Sequence, residues 1–165
     1  MSNIQSTIEN LLLSTGRTGI SNVISELRKN DFYDRPATQV GQRKTTLGEH
    51  SLSVYRTALE LNRRYSNYDI DQDSLIIACL LHDVCKVTSK PYGRHKHGFK
   101  SLELLEDWGL MLTDDEVTAI CFHMGACEID TNSPEDWKDM SYADKVELCK
   151  LLQSADKVSA FLLNT

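Results

Sequence analysis

Apolar positions along the chain recur three and four residues apart, and no stretch alternates in the manner of a half-buried strand, so the pattern predicts an all-α fold. Two short helices are expected over residues 4–13 and 20–29, followed by an irregular stretch, 31–46, that carries Pro36 and Gly41. A long amphipathic helix is expected over 47–65. An almost wholly apolar one over 73–84 has the composition of a buried central helix. Residues 85–98, with Pro91, Gly93 and Gly98, read as a loop. Further helices are expected over 99–108, from Thr113, where Glu116 completes a capping box, and from Ser133-Pro134 with Asp136. Ser141 and Asp144 read as the opening of a C-terminal helix that reaches about Leu163. With no repeat, low-complexity segment or linker, the chain is expected to form one domain. Its core would span about 30–163, and residues 1–29 would supply helices packed on it.

Composition narrows the function classes. A chain of 165 residues, 41% hydrophobic and 25% charged, has the make-up of a soluble globular domain. At about 150 residues a chain buries roughly 70% of its unfolded surface, so neither a disulfide nor a structural metal is needed for folding. The balance of 18 Lys+Arg against 24 Asp+Glu, a formal charge of -6, argues against a domain that coats nucleic acid or an anionic membrane. The longest apolar run, 75–81, is too short to span a bilayer, and the N-terminus lacks signal-peptide features, so the chain reads as cytoplasmic. Five cysteines without a C-x-x-C pair, four of them (Cys79, Cys85, Cys121, Cys149) in apolar segments, read as reduced thiols.

The informative residues are polar ones on apolar faces. His50 lies on the stripe Leu47, Val54, Ala58 and Leu61; His82 and Asp83 end the run 75–81; His123 continues the stripe Val117, Ile120; Asp156 sits among Cys149, Leu152, Ala160 and Leu163. Taken singly, each has an ordinary structural explanation, a hydrogen-bonded core histidine or a paired carboxylate. Taken together, three histidines and two aspartates point inward from four helices. A buried carboxylate must be neutralised, paired or metal-bound. Imidazole plus carboxylate is a ligand mix that divalent ions prefer.

The order His50, then His82-Asp83, then Asp156 resembles the H…HD…D signature of HD-domain metal-dependent phosphohydrolases, an all-α superfamily of helical bundles. The local contexts agree: Gly48-Glu49-His50-Ser51-Leu52-Ser53-Val54 resembles the family's first-histidine helix, Leu80-Leu81-His82-Asp83-Val84-Cys85-Lys86 its L-L-H-D-x-x-K segment, and Ser154-Ala155-Asp156 its final A-D. The resemblance covers about residues 30–163. His97-Gly98-Phe99-Lys100-Ser101 and Phe122-His123-Met124-Gly125 resemble two further segments of small HD proteins, with Phe99 where the family usually carries an acid. The resemblance implies two divalent ions, drawn from Mn, Fe, Co, Ni, Zn or Mg. One would be held by His50, His82, Asp83 and Asp156, the other by Asp83, His97 and His123, with His95 the rival to His97. It also assigns Lys86 to phosphate binding and makes Asp83 and Lys86 the catalytic pair.

Metal-bound water loses a proton near neutral pH and attacks a phosphoryl group without a strong base. Between Asp83 and Glu103 there is no acid but there are five bases, Lys86, Lys90, Arg94, Lys96 and Lys100. Arg94, Lys96 and Lys100 are candidate substrate contacts, with Arg43 and Lys44 weaker ones. The leading expectation is a phosphohydrolase acting on a nucleotide or similar small anionic substrate. The first alternative is a phosphodiesterase or 3′-to-5′ exonuclease, because 31–37 resembles the approach to the first histidine in exoribonucleases. The second is a di-iron oxygenase of the HD type. Oligomeric state stays open, a homodimer being the form that many small HD enzymes take.

Overall fold

The computed structural model describes residues 3–37, 45–88 and 96–163. The described residues form eight α-helices and no named strand; an isolated antiparallel bridge, Pro36 to Thr46, is the one strand-like pairing. The helices are α1 (Asn3–Ser14), α2 (Ile20–Lys29), α3 (Leu47–Leu61), α4 (Gln72–Leu81), α5 (His97–Asp107), α6 (Asp114–Cys121), α7 (Pro134–Ala143) and α8 (Glu147–Leu163). The all-α expectation holds. No helix among the described residues is long and apolar enough to cross a membrane.

α4 owes its central place to its sequence. Every residue from Ser74 to Leu81 is buried, so the helix needs neighbours all round, and it packs against α1, α3, α6 and α8. α3 is amphipathic and lays its apolar face on α8 and α4. α6 packs on α8 and α5 on α6, completing the bundle. The start of α3 is fixed by a capping box, in which Thr46 accepts from the Glu49 amide and the Glu49 carboxylate accepts from the Thr46 amide. The expected box of Thr113 and Glu116 forms likewise on α6.

The loop joining α1 and α2 docks on the connection between α5 and α6. Arg17 makes two 2.7 Å bonds to the fully buried Glu116, whose Oε1 also accepts from Ser74 at 2.7 Å. Breaking such a buried pair from one side costs about 3 kcal/mol. Gly19 is required here: its φ is +90°, and a Cβ would stand 2.0 Å from the Gly109 carbonyl oxygen.

Three boundaries differ from expectation, each for a local reason. Ser141 and Asp144 do not open the last helix. α7 runs through Ser141 to Ala143, Asp144 caps its C-terminus, and α8 begins at Glu147. Small polar residues suited to a helix start are also tolerated inside an exposed helix end. The segment 85–98 is not wholly loop, since Val84–Val87 is a 3-10 turn and α5 already begins at His97. The helix expected over 47–65 leaves α-geometry at Asn62, where a π turn, Asn62–Ser66, ends it on Asn67 in the left-handed region. Cys79, Cys85, Cys121 and Cys149 are buried and in no disulfide, as expected, and Cys127 is exposed.

Candidate metal centre

Five of the six candidate ligands sit at helix ends. His50 is in the first turn of α3, and His97 is the first residue of α5. His82 and Asp83 follow the last residue of α4, and His123 comes two residues after α6. Sequence periodicity placed these three within helices; instead the chain leaves helical geometry there, freeing carbonyls that orient the rings. His82 Nδ1 lies 3.0 Å from the Cys79 carbonyl and His123 Nδ1 2.7 Å from that of Ile120. A carbonyl can only accept, so Nδ1 carries the proton and Nε2 is turned to the centre. Asp156 alone projects from mid-helix, on α8.

Asp83 is the hub. Its Oδ2 lies 3.6 Å from His50 Nε2 and 3.4 Å from His82 Nε2, while its Oδ1 lies 3.2 Å from His97 Nε2 and 3.6 Å from His123 Nε2. Asp156 Oδ1 completes the first group, 3.1 Å from His50 Nε2 and 3.7 Å from His82 Nε2. In the second group, His97 Nε2 and His123 Nε2 are 2.8 Å apart, a gap that a proton or a shared cation bridges. The ligand atoms of His50, His82 and Asp83 lie within 4.8 Å of one another, as do those of Asp83, His97 and His123. Those of His82, His123 and Asp156 do so too, making the two groups contiguous.

The donor set fits divalent cations. His50 Nε2, His82 Nε2 and Asp83 Oδ1 are buried and make no hydrogen bond, a costly state for acceptors that an ion relieves. Ligands about 2.1 Å from one ion stand roughly 3 Å apart at right angles and 3.4 Å apart in a tetrahedron, and the separations here bracket those values.

A family model for the HD domain matches residues 47–160, well over half of the chain. The chain belongs to the HD-domain family. That family is a superfamily of metal-dependent phosphohydrolases that bind divalent metals. No curated protein and no solved structure matches the chain significantly.

Within this HD domain the electrostatics separate the two groups. Burial resists charge on His82, yet the Asp83 and Asp156 carboxylates overcome it and raise the imidazole to about 10, so that a divalent ion bound at Nε2 would displace a second proton from that nitrogen. Burial pushes His123 below its ordinary value, with only partial opposition from Asp83. Burial would raise the two carboxyls, but Lys86 and His82 hold Asp83 well down, and His50 and His82 hold Asp156 down. The carboxylates are therefore fully charged, as ligands must be.

Lys86 reaches back along the 3-10 turn to Asp83, with its Nζ 2.6 Å from Oδ2. Burial works against its charge but Asp83 raises its pKa. The same turn is held by Ser101, whose Oγ accepts from the Cys85 amide at 3.2 Å, giving the serine of the His97–Ser101 segment a task. Lys96 is exposed immediately before His97, in the left-handed region, and Lys100 is partly buried one turn later. Arg94, His95, Arg43, Lys44 and Lys90 lie outside the described residues.

Two positioning residues were not legible as such. Gly98 sits where α5 crosses the end of α6: a Cβ there would lie 2.4 Å from the Ile120 carbonyl oxygen and 2.5 Å from that of Cys121, so only glycine lets His97 approach His123. Gln153, one turn before Asp156, donates to the Phe122 carbonyl at 2.9 Å and ties the His123 turn to α8. Gly98 belongs to the His97–Ser101 motif, but its role depends on a crossing between segments distant in sequence.

Proposed function

We propose that this HD domain is a metal-dependent phosphohydrolase that cleaves a phosphate ester of a nucleotide or a similar small anionic substrate. What supports the reading most is Asp83, whose two oxygens face separate histidine pairs, the disposition expected of a carboxylate shared by two ions. In this reading His50, His82, Asp83 and Asp156 hold one ion, and Asp83, His97 and His123 the other. Bound divalent ions supply a nucleophile by acidifying water and polarise the phosphoryl oxygens. The protein's own part is orientation and charge. The Nδ1 bonds of His82 and His123 aim their Nε2 atoms inward. Lys86 carries positive charge beside Asp83 and offsets that of a transferring phosphoryl group. Lys96 and Lys100, flanking His97, and Arg94 are proposed further contacts to the substrate.

The test is elemental analysis of purified protein joined to a phosphate-release screen over nucleoside mono-, di- and triphosphates and cyclic nucleotides, before and after chelation. Two divalent ions per chain, with phosphate release lost on chelation and restored by metal, is the expected result. Release that survives full chelation overturns the proposal. Diester cleavage alone would favour a phosphodiesterase, and iron with oxygen consumption an oxygenase.

A further inference from the structure

Arg35 differs from four of the other described arginines. Arg17, Arg28, Arg63 and Arg64 each pair with a glutamate. Arg35 is half-buried and pairs with no carboxylate among the described residues, in a chain that has 24 acids. Its guanidinium instead donates to the backbone carbonyl of Val87, the last residue of the 3-10 turn that carries Lys86. Its own backbone carbonyl accepts from the Leu47 amide at 2.7 Å, and its amide donates to the Asp31 carbonyl at 2.9 Å. Leu47 opens α3, three residues before His50. Arg35 is thus anchored between the helix that presents His50 and the turn that presents Lys86.

A guanidinium has five N–H donors, and one is spent here. A neutral carbonyl partner positions the group without cancelling its charge, which leaves a forked cation suited to phosphate oxygens. Its place along the turn decides what it can bind. Lys86 points back to Asp83 at the start of the turn, whereas the Val87 carbonyl lies at its end. A 3-10 turn rises about 2 Å per residue, so the four steps from Asp83 to Val87 span about 8 Å. That exceeds the width of one phosphoryl group held at Asp83, but not the reach of two linked phosphates.

We propose that Arg35 is a substrate-binding residue for a second anionic group, so that the site favours a substrate with at least two linked phosphates over a monophosphate. The inference rests on the phosphohydrolase reading for the position of the first phosphate, and its test does not need turnover. Inorganic pyrophosphate and orthophosphate are titrated calorimetrically into metal-loaded wild-type protein, Arg35→Ala and Arg35→Lys, with bound metal and melting temperature measured in parallel. Arg35→Ala should weaken pyrophosphate binding about tenfold or more, the worth of a charge-assisted bond, and change orthophosphate binding and metal content less than twofold. Arg35→Lys should recover part of the loss. Equal losses for both ligands, lost metal, or unchanged pyrophosphate affinity would overturn the inference. A wild type that binds pyrophosphate through Arg35 yet hydrolyses no ester would sink the phosphohydrolase reading and leave this one standing.

Discussion

Asp83 carries more of this molecule's chemistry than any other side chain, because each of its oxygens meets a different pair of imidazoles. Asp83→Ala is therefore expected to lower bound metal in both groups together. Activity should fall more than about 100-fold, since removing one preorganised electrostatic group already costs that much. Metal analysis and circular dichroism check this, the helix content staying near wild type. Lys86 touches the same carboxylate but is partly exposed and is no ligand. Lys86→Ala should raise KM or lower kcat about tenfold with metal content unchanged; loss of metal would mean that Lys86 serves chiefly to hold Asp83 in place.

At the scale of elements, the site is a meeting of helix ends. Gly98→Ala tests this directly, because its methyl group would collide with two carbonyl oxygens of α6. Overpacking of that kind costs about 1–3 kcal/mol. α5 should shift away from α6, parting His97 from His123, so that one ion per chain is lost and the His50 group keeps its own. Urea denaturation and metal counting read the two effects separately. Helix identity was legible here, since the heptad-like stripes of α3 and α8 and the apolar run of α4 depend on neighbours in sequence. The ends were less so. His82, Asp83 and His123 continue the helical stripes of α4 and α6 in sequence, yet each lies beyond the last helical residue. The true start of α8 was hidden for a related reason, because Ser141 and Asp144 have the side chains of a cap while belonging to the end of α7.

For the whole molecule, stability and chemistry lie in separate places. The pair of Glu9 on α1 and Arg28 on α2 is remote in sequence from every candidate ligand, and the Arg28 guanidinium, with help from Gln5, lowers the Glu9 carboxyl from 4.5 to about 2 against the effect of burial. A depressed carboxyl stabilises the fold fully above its unfolded value of 4.5 and loses that contribution as pH falls toward 2. Glu9→Gln should thus lower the urea midpoint at pH 7, and its difference from wild type should shrink between pH 4.5 and 2. A difference that stays constant across that window would mean that charge is not what Glu9 contributes.

The sequence by itself determined the helical class, the inward stripes and the ordered residues His50, His82-Asp83, His97, His123 and Asp156, because periodicity and motif order are properties of neighbours along the chain. Only the tertiary structure decided that Asp83 divides its oxygens between two histidine pairs, that Gly98 lets α5 close on α6, and that the Arg35 guanidinium and the Lys86 ammonium meet opposite ends of one short turn. Those relations join residues up to 52 positions apart and are set by how helix ends pack, which no local pattern encodes.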